Sequence, residues 1–188
     1  LANGRRRLPV FLSASALLAA GTEDVSGYVL TAMDLSRLKS AEAALQYRVG
    51  FESLLSAIAT RFVAVAPEGV EGEIQLALGQ IGEFVGVDRS YLFSHDPDAD
   101  TISNTHEWCA EGIESQADQL QQLPLDGFPW MAALLRAGEV VHVPDVEHLP
   151  PEAAAEYAEF QVQDIRSLLV VPLLTSEPPL VATGVERD

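Results

Sequence analysis

The sequence predicts an α+β fold, an antiparallel or mixed sheet flanked by helices. Three observations point there. Short runs rich in β-branched and aromatic residues alternate with short helical runs through the C-terminal two thirds, and that alternation begins with a hairpin. The apolar spacing changes from period two to steps of three and four near Asp34. A content of 48% hydrophobic and 21% charged residues is that of a chain able to build a core.

The elements follow in order. Asn3-Gly4 is a tight-turn dipeptide, and Val10, Leu12, Ala14 and Ala16 alternate after it, so Arg5 to Ala16 reads as a strand. Gly27 to Asp34 reads as its antiparallel neighbour across a polar loop. Two strands alone do not make a domain. Asp34 or Ser36 can cap a helix in which Leu38, Ala41, Leu45, Arg48, Glu52, Leu55, Ala59 and Phe62 form a heptad-like seam. Arg48, Gly50 and Glu52 interrupt it, and an amphipathic helix packed on its own domain stands beside the coiled-coil reading. A second helix spans about Glu71 to Val85 and stops at Gly86.

Arg89 to Ser94 and Thr101 to Cys109 read as strands joined by the acidic tip H-D-P-D-A-D. Counting from Asp96, acids fall at places one, three, five and twelve (Glu107), the spacing of an EF-hand loop. Thr101 stands where that loop needs glycine, and neither flank is helical, so the acids read as turn residues. Ile113 to Gln122 is polar and partly helical, and Pro124 extends its neighbours. A helix starts at Pro129 with Asp126 as its cap and stops at Gly138. Glu139 to Asp145 is a strand, Pro151 to Gln163 a helix, and Arg166 to Leu174 a buried strand.

The chain carries a net charge of −17 over 188 residues, which argues against a general nucleic-acid or anionic-membrane surface. The first 48 residues hold six bases and four acids, the rest five bases and 24 acids, as two units of different origin would. Opening on Leu1 and ending on Asp188, the sequence reads as a fragment. A lone Cys109 leaves no intrachain disulfide and fits a reducing, cytoplasmic compartment. Arg5 to Gly21 has the outline of a secretory signal, but Pro9, Ser13 and Ser15 interrupt its apolar run. No run is long enough for a membrane-spanning helix.

The succession V-D-R-S-Y-L-F, T-x-H-E-W, L-P-L-D-x-F-P-W, G-E-V-V-H-V-P-D-V and I-R-S-L-L-V-V-P-L resembles a GAF domain of bacterial sensory proteins, over about Phe62 to Leu174. Upstream, N-G-R-R-R-L-P-V-F-L-S-A-S through V-L-T-A-M-D-L-S-R-L-K-S-A-E resembles the last strands of a PAS domain running into a linker helix. The organisation implied is 1–34 PAS end, 35–66 signalling helix, 67–188 GAF domain. A six-stranded antiparallel sheet is implied, with a ligand pocket covered by residues 113–137 and 151–163. Past Leu174 the usual Gly-rich turn and G-F-x-G strand are missing, so the closing strand is expected to be degenerate, misplaced or absent.

No phosphate loop, nucleophile elbow or zinc helix occurs, and the expectation is a non-catalytic fragment without a metal. His106 and Glu107 are strand neighbours that face opposite sides, and His95, His142 and His148 are scattered. Cys109 lacks the D-x-C-F stretch and following histidine of bilin-attaching relatives, and no cyclic-nucleotide motif is visible. Alternation puts Trp108, His106, Asn104 and Ile102 on one strand face and Tyr91 and Phe93 on one face of the neighbour. With Phe128 and Trp130 from the covering segment, they are either a small-molecule pocket or core.

The expected function is a sensory input module that passes a ligand- or partner-induced change through a dimeric helix to an output domain such as a histidine kinase or diguanylate cyclase. The ligand is left unknown. A ligand-free dimerisation module is the alternative. An enzyme like the methionine sulfoxide reductases of this fold would need a second reactive cysteine.

Overall fold

The structure, a computed structural model, describes residues 8–18, 21, 25–173 and 181–187. They fall into two compact units, residues 1–55 and 56–188.

In the first unit, β1 (Val10–Leu18) and β2 (Val25–Asp34) form an antiparallel pair with Val10 opposite Asp34 and Ala16 opposite Tyr28. The alternating apolar run thus becomes a strand, not the helix of a signal segment; Asn3-Gly4 and Arg5 to Arg7 lie outside the described residues. Both faces leave large apolar side chains exposed, among them Phe11, Leu12, Tyr28 and Leu30. Helix α1 (Ser36–Ala64) follows, and the Asp34 side chain accepts from the Ser36 N–H at 2.7 Å. No residue of α1 is buried. Arg48 and Glu52, which break the apolar seam, pair with each other at 3.0 Å, one turn apart and both exposed; such pairs contribute only about 0.3–0.5 kcal/mol.

The second unit is built on a six-stranded antiparallel sheet in the order β5-β4-β3-β8-β7-β6. Its strands are β3 (Arg89–Asp96), β4 (Thr101–Cys109), β5 (Leu123–Pro124), β6 (Val141–Val143), β7 (Ser167–Leu173) and β8 (Val181–Arg187). The closing strand is therefore present, against the expectation of a degenerate or missing one. It fills the middle of the sheet, where Val185 stands opposite both Ser90 and Leu169. Without it, β3 and β7 would face each other across an unpaired gap.

Helix α2 (Val70–Val85) lies over β3 and β4. Gly86 ends it in the left-handed conformation, φ 72°, and its N–H bonds the Gly82 carbonyl, a stop that suits glycine because it has no Cβ. From the C-terminal end of α1, Arg61 reaches Glu73 at 2.8 Å and also Gln80. On the other side, α3 (Pro129–Arg136) and α4 (Ala154–Val162) join β6 and β7 around Leu135, Val141, Phe160, Ile165 and Val170, all buried.

Asp126 is not the cap of α3. The residue at the cap position is Phe128, which offers no side-chain acceptor. Glu156 of α4 does the work from across the fold: its Oε1 accepts from the N–H groups of Trp130 at 2.8 Å and Met131 at 3.1 Å. Glu156 is wholly buried.

Candidate functional site

The chain turns from β3 to β4 through the acidic tip, where Asp96 and Asp100 have local tasks. Asp96 Oδ1 accepts from the N–H groups of Asp98 and Ala99, which closes the turn. Asp100 meets His95 at 3.0 Å and Arg136 at 2.7 Å. The hydrogen bond from His95, then that from Arg136, holds its carboxyl below the usual carboxylate range. Among the described residues no group of three or more His, Cys, Asp or Glu side chains stands close enough to hold a metal ion.

Residues paired across an antiparallel ladder share a face. Ser90 and Trp108 face α2: Ser90 Oγ donates to the Leu78 carbonyl at 2.7 Å, and the Trp108 indole lies against Gly79 and Gly82. Tyr91 and Glu107, the next pair, face the other way. At Leu92 the register slips. Leu92 stands opposite His106 but Phe93 opposite Asn104, so Thr105 is an extra residue in β4, a β-bulge.

That bulge corrects the alternation read from sequence. His106 and Trp108 lie on the α2 side, where His106 Nε2 meets Glu71 of α2 at 2.7 Å. Asn104 and Ile102 lie on the opposite side with Phe93. A strict period of two put all four together, and one inserted residue reverses the face of everything beyond it.

On the Tyr91 side, a cavity of about 80 Å³ lies between the sheet and its covering segments. Tyr91 and Phe93 of β3, Ile102 and Glu107 of β4, and Leu168 and Val170 of β7 form its floor. Leu120, Leu123, Leu125 and Phe128 of the crossing segment, Met131, Ala132 and Leu135 of α3, and Phe160, Gln163 and Ile165 around α4 form its roof. Tyr91 and Phe93 meet edge to face, ring centroids 5.3 Å apart.

Of the residues singled out in the sequence, Tyr91, Phe93, Ile102 and Phe128 stand in this wall. Asn104 lies on the same sheet face but is not part of the wall, and His106 and Trp108 are on the far face. Trp130 packs against the apolar core. Glu107, Met131 and Gln163 were not anticipated. Strand alternation alone makes Glu107 no more than the neighbour of His106; its place opposite Tyr91 shows that it, not His106, faces the cavity.

Two polar groups here are incompletely satisfied, which is costly in an apolar setting. Glu107 Oε2 accepts from Ser115 Oγ and from the N–H groups of Gln116 (2.9 Å) and Ala117 (3.2 Å), anchoring the covering segment to the sheet. Among the described residues its buried Oε1 has no partner. The Asn104 side chain, 3% exposed, has neither amide atom paired.

Cys109 ends β4 opposite Arg89. Burial first, and the Glu107 charge second, push its thiol up to about 11. Only the thiolate is nucleophilic. At pH 8 iodoacetamide should therefore alkylate Cys109 roughly a hundredfold more slowly than an exposed cysteine, with the rate still climbing at pH 10. A rate at pH 8 equal to that of glutathione would contradict this protection.

Residues 70–182 match the family model described as GAF domain. Among solved structures, the phycocyanobilin-bound GAF domain of a cyanobacterial phytochrome is similar at 20% identity, TM-score 0.59, over 72% of this chain and 79% of that one. The GAF domain of a phosphoenolpyruvate-protein phosphotransferase from Coxiella burnetii is similar at 19% identity, TM-score 0.55, over 72% and 76%. The chromophore-binding domain of a bacteriophytochrome from R. palustris is similar at 15% identity, TM-score 0.54, over 74% and 53%. At these identities the likeness is one of fold. No curated protein matches the chain.

Proposed function

The chain belongs to the GAF domain family, and from that premise we propose that it is the sensory input part of a bacterial signal-transduction protein whose output domain is a histidine kinase or a diguanylate cyclase. The observation that carries the reading is the apolar cavity between sheet and cover, walled by Tyr91, Phe93 and Phe128. Apolar hollows with few polar groups are where small ligands lodge. The β1–β2 hairpin is the end of a PAS domain, and α1 is a cytoplasmic linker through which two copies pair. Exposed Leu38, Leu45 and Leu55 along α1 support that pairing, since an apolar stripe of this spacing is stabilised by a partner helix. No helix among the described residues is long and apolar enough to cross a membrane.

Ligand binding would bias the packing of α1 between two arrangements, a change of a few kcal/mol at most. A ligand-free dimerisation module is the second reading. It is favoured by the size of the cavity, about 80 Å³, against the roughly 300–1,000 Å³ of ordinary ligand sites.

Light scattering over a concentration series tests the linker. The parent chain should be a dimer, and Leu45→Glu with Leu55→Glu should be a monomer of unchanged circular dichroism. A parent that stays monomeric at every concentration would remove the helix from the mechanism.

A further inference from the structure

Among the described residues the cavity wall is apolar except for Glu107 and Gln163, and the buried Oε1 of Glu107 has no hydrogen-bond partner. An acceptor shut away from water without a donor costs about 1–3 kcal/mol, and a ligand that supplies the donor recovers it. The other oxygen is already committed to Ser115, Gln116 and Ala117. Resting on the ligand-binding reading above, we infer that the cavity takes a small neutral aromatic molecule carrying one hydrogen-bond donor, of the phenol or indole class, with the donor on Glu107 Oε1 and the ring among Tyr91, Phe93 and Phe128.

Three features select that class. Aromatic and aliphatic walls favour a ring over a polar chain. The volume, about 80 Å³, is below the roughly 150 Å³ of an apolar cavity that accepts benzene, so a single ring enters as the flexible Met131 side chain gives way, and nothing larger does without wider opening. A cation is disfavoured because Arg89, 5% exposed, stands on the same sheet face two residues before Tyr91 and acts, as Glu107 does, on the neighbouring Cys109 thiol, so the protein already supplies a positive charge near the carboxylate.

The same contact explains how occupancy would be felt outside. Glu107 holds the covering segment with one oxygen and would hold the ligand with the other. A donor on Oε1 therefore changes the strength and geometry of the bonds that fasten residues 115–117 to the sheet.

The full chain is titrated with phenol, toluene and benzylammonium, following the ring resonances of Tyr91, Phe93 and Phe128 by NMR. Phenol and toluene differ by a hydroxyl for a methyl, so their ratio reads the contribution of the hydroxyl. Phenol should bind roughly tenfold tighter or better, the ratio expected of one hydrogen bond to a charged group. Glu107→Gln, with its carbonyl retained by the covering segment and its amide turned to the cavity, should reduce that preference, because the amide can donate to the phenol oxygen but no longer accepts from its hydroxyl. The ratio in the parent stands on its own if the variant fails to fold. Equal affinity for toluene and phenol would overturn the donor inference and leave the cavity reading intact. Tightest binding of benzylammonium would replace the neutral ligand by a cation. Silence from all three would overturn the inference and remove the cavity's role in sensing as well.

Discussion

Replacing Gly82 by alanine should destabilise the GAF unit by about 1–3 kcal/mol, although alanine is the better helix former by about 1 kcal/mol. A methyl group built on Gly82 overlaps the Cε3–Cζ3 edge of Trp108. That ring belongs to β4, where Trp108 is paired with Ser90 of β3. Helix α2 supplies its own controls. Gly72 has open space at its Cβ position, so Gly72→Ala should gain stability, up to about 1 kcal/mol. Gly79 brings a Cβ to 3.0 Å from Trp108 Cδ1, and its alanine should fall between the two. Urea unfolding followed by tryptophan fluorescence reads this unit directly, because Trp108 and Trp130 both lie in it. Gly82→Ala combined with Trp108→Leu should lose much less than the sum of the single changes. An additive pair, or three alanines of equal effect, would mean that the glycines serve only the helix backbone.

The same side of the sheet shows what the sequence disclosed and what it withheld. The stops at Gly86 and Gly138 were legible because a left-handed turn wants glycine, and both have positive φ, 72° and 74°. Strands β3 and β4 were legible from their aromatic and β-branched residues. The faces of β4 were not, since Thr105 is as good a strand residue as any and nothing local marks it as the extra one. Strand β8 was missed for a related reason. V-A-T-G-V-E-R lacks the pattern of a typical closing strand, yet between two strands with open edges even a weak strand former is stabilised by pairing on both sides. The candidate site suffered most: four of its anticipated residues line the cavity, and the polar group that gives it chemical character, Glu107, emerges only from the strand pairing.

Glu156→Ala should cost about 2–4 kcal/mol, an effect that sequence spacing could not foresee because the contact spans 26 residues. The change removes the acceptor for two N–H groups at the start of α3 and leaves a void where a fully buried side chain stood. Each orphaned amide carries a desolvation penalty, and neither Phe128 nor Asp126 replaces the lost cap. Glu156→Gln separates the hydrogen bonds from the charge. Its carbonyl can serve both amides, and the buried Oε2, which has no partner among the described residues, is replaced by an uncharged NH2. The glutamine variant should therefore stay within about 1 kcal/mol of the parent, since the helix N-terminus loses an anion while the interior loses an unpaired charged oxygen. Because α3 carries Met131, Ala132 and Leu135 of the cavity roof, the alanine variant should also loosen that roof and broaden the Phe128 ring resonances, and the glutamine variant should do neither. Equal losses from Ala and Gln would show that the charge at the helix terminus, not the pair of hydrogen bonds, fixes α3 over the cavity.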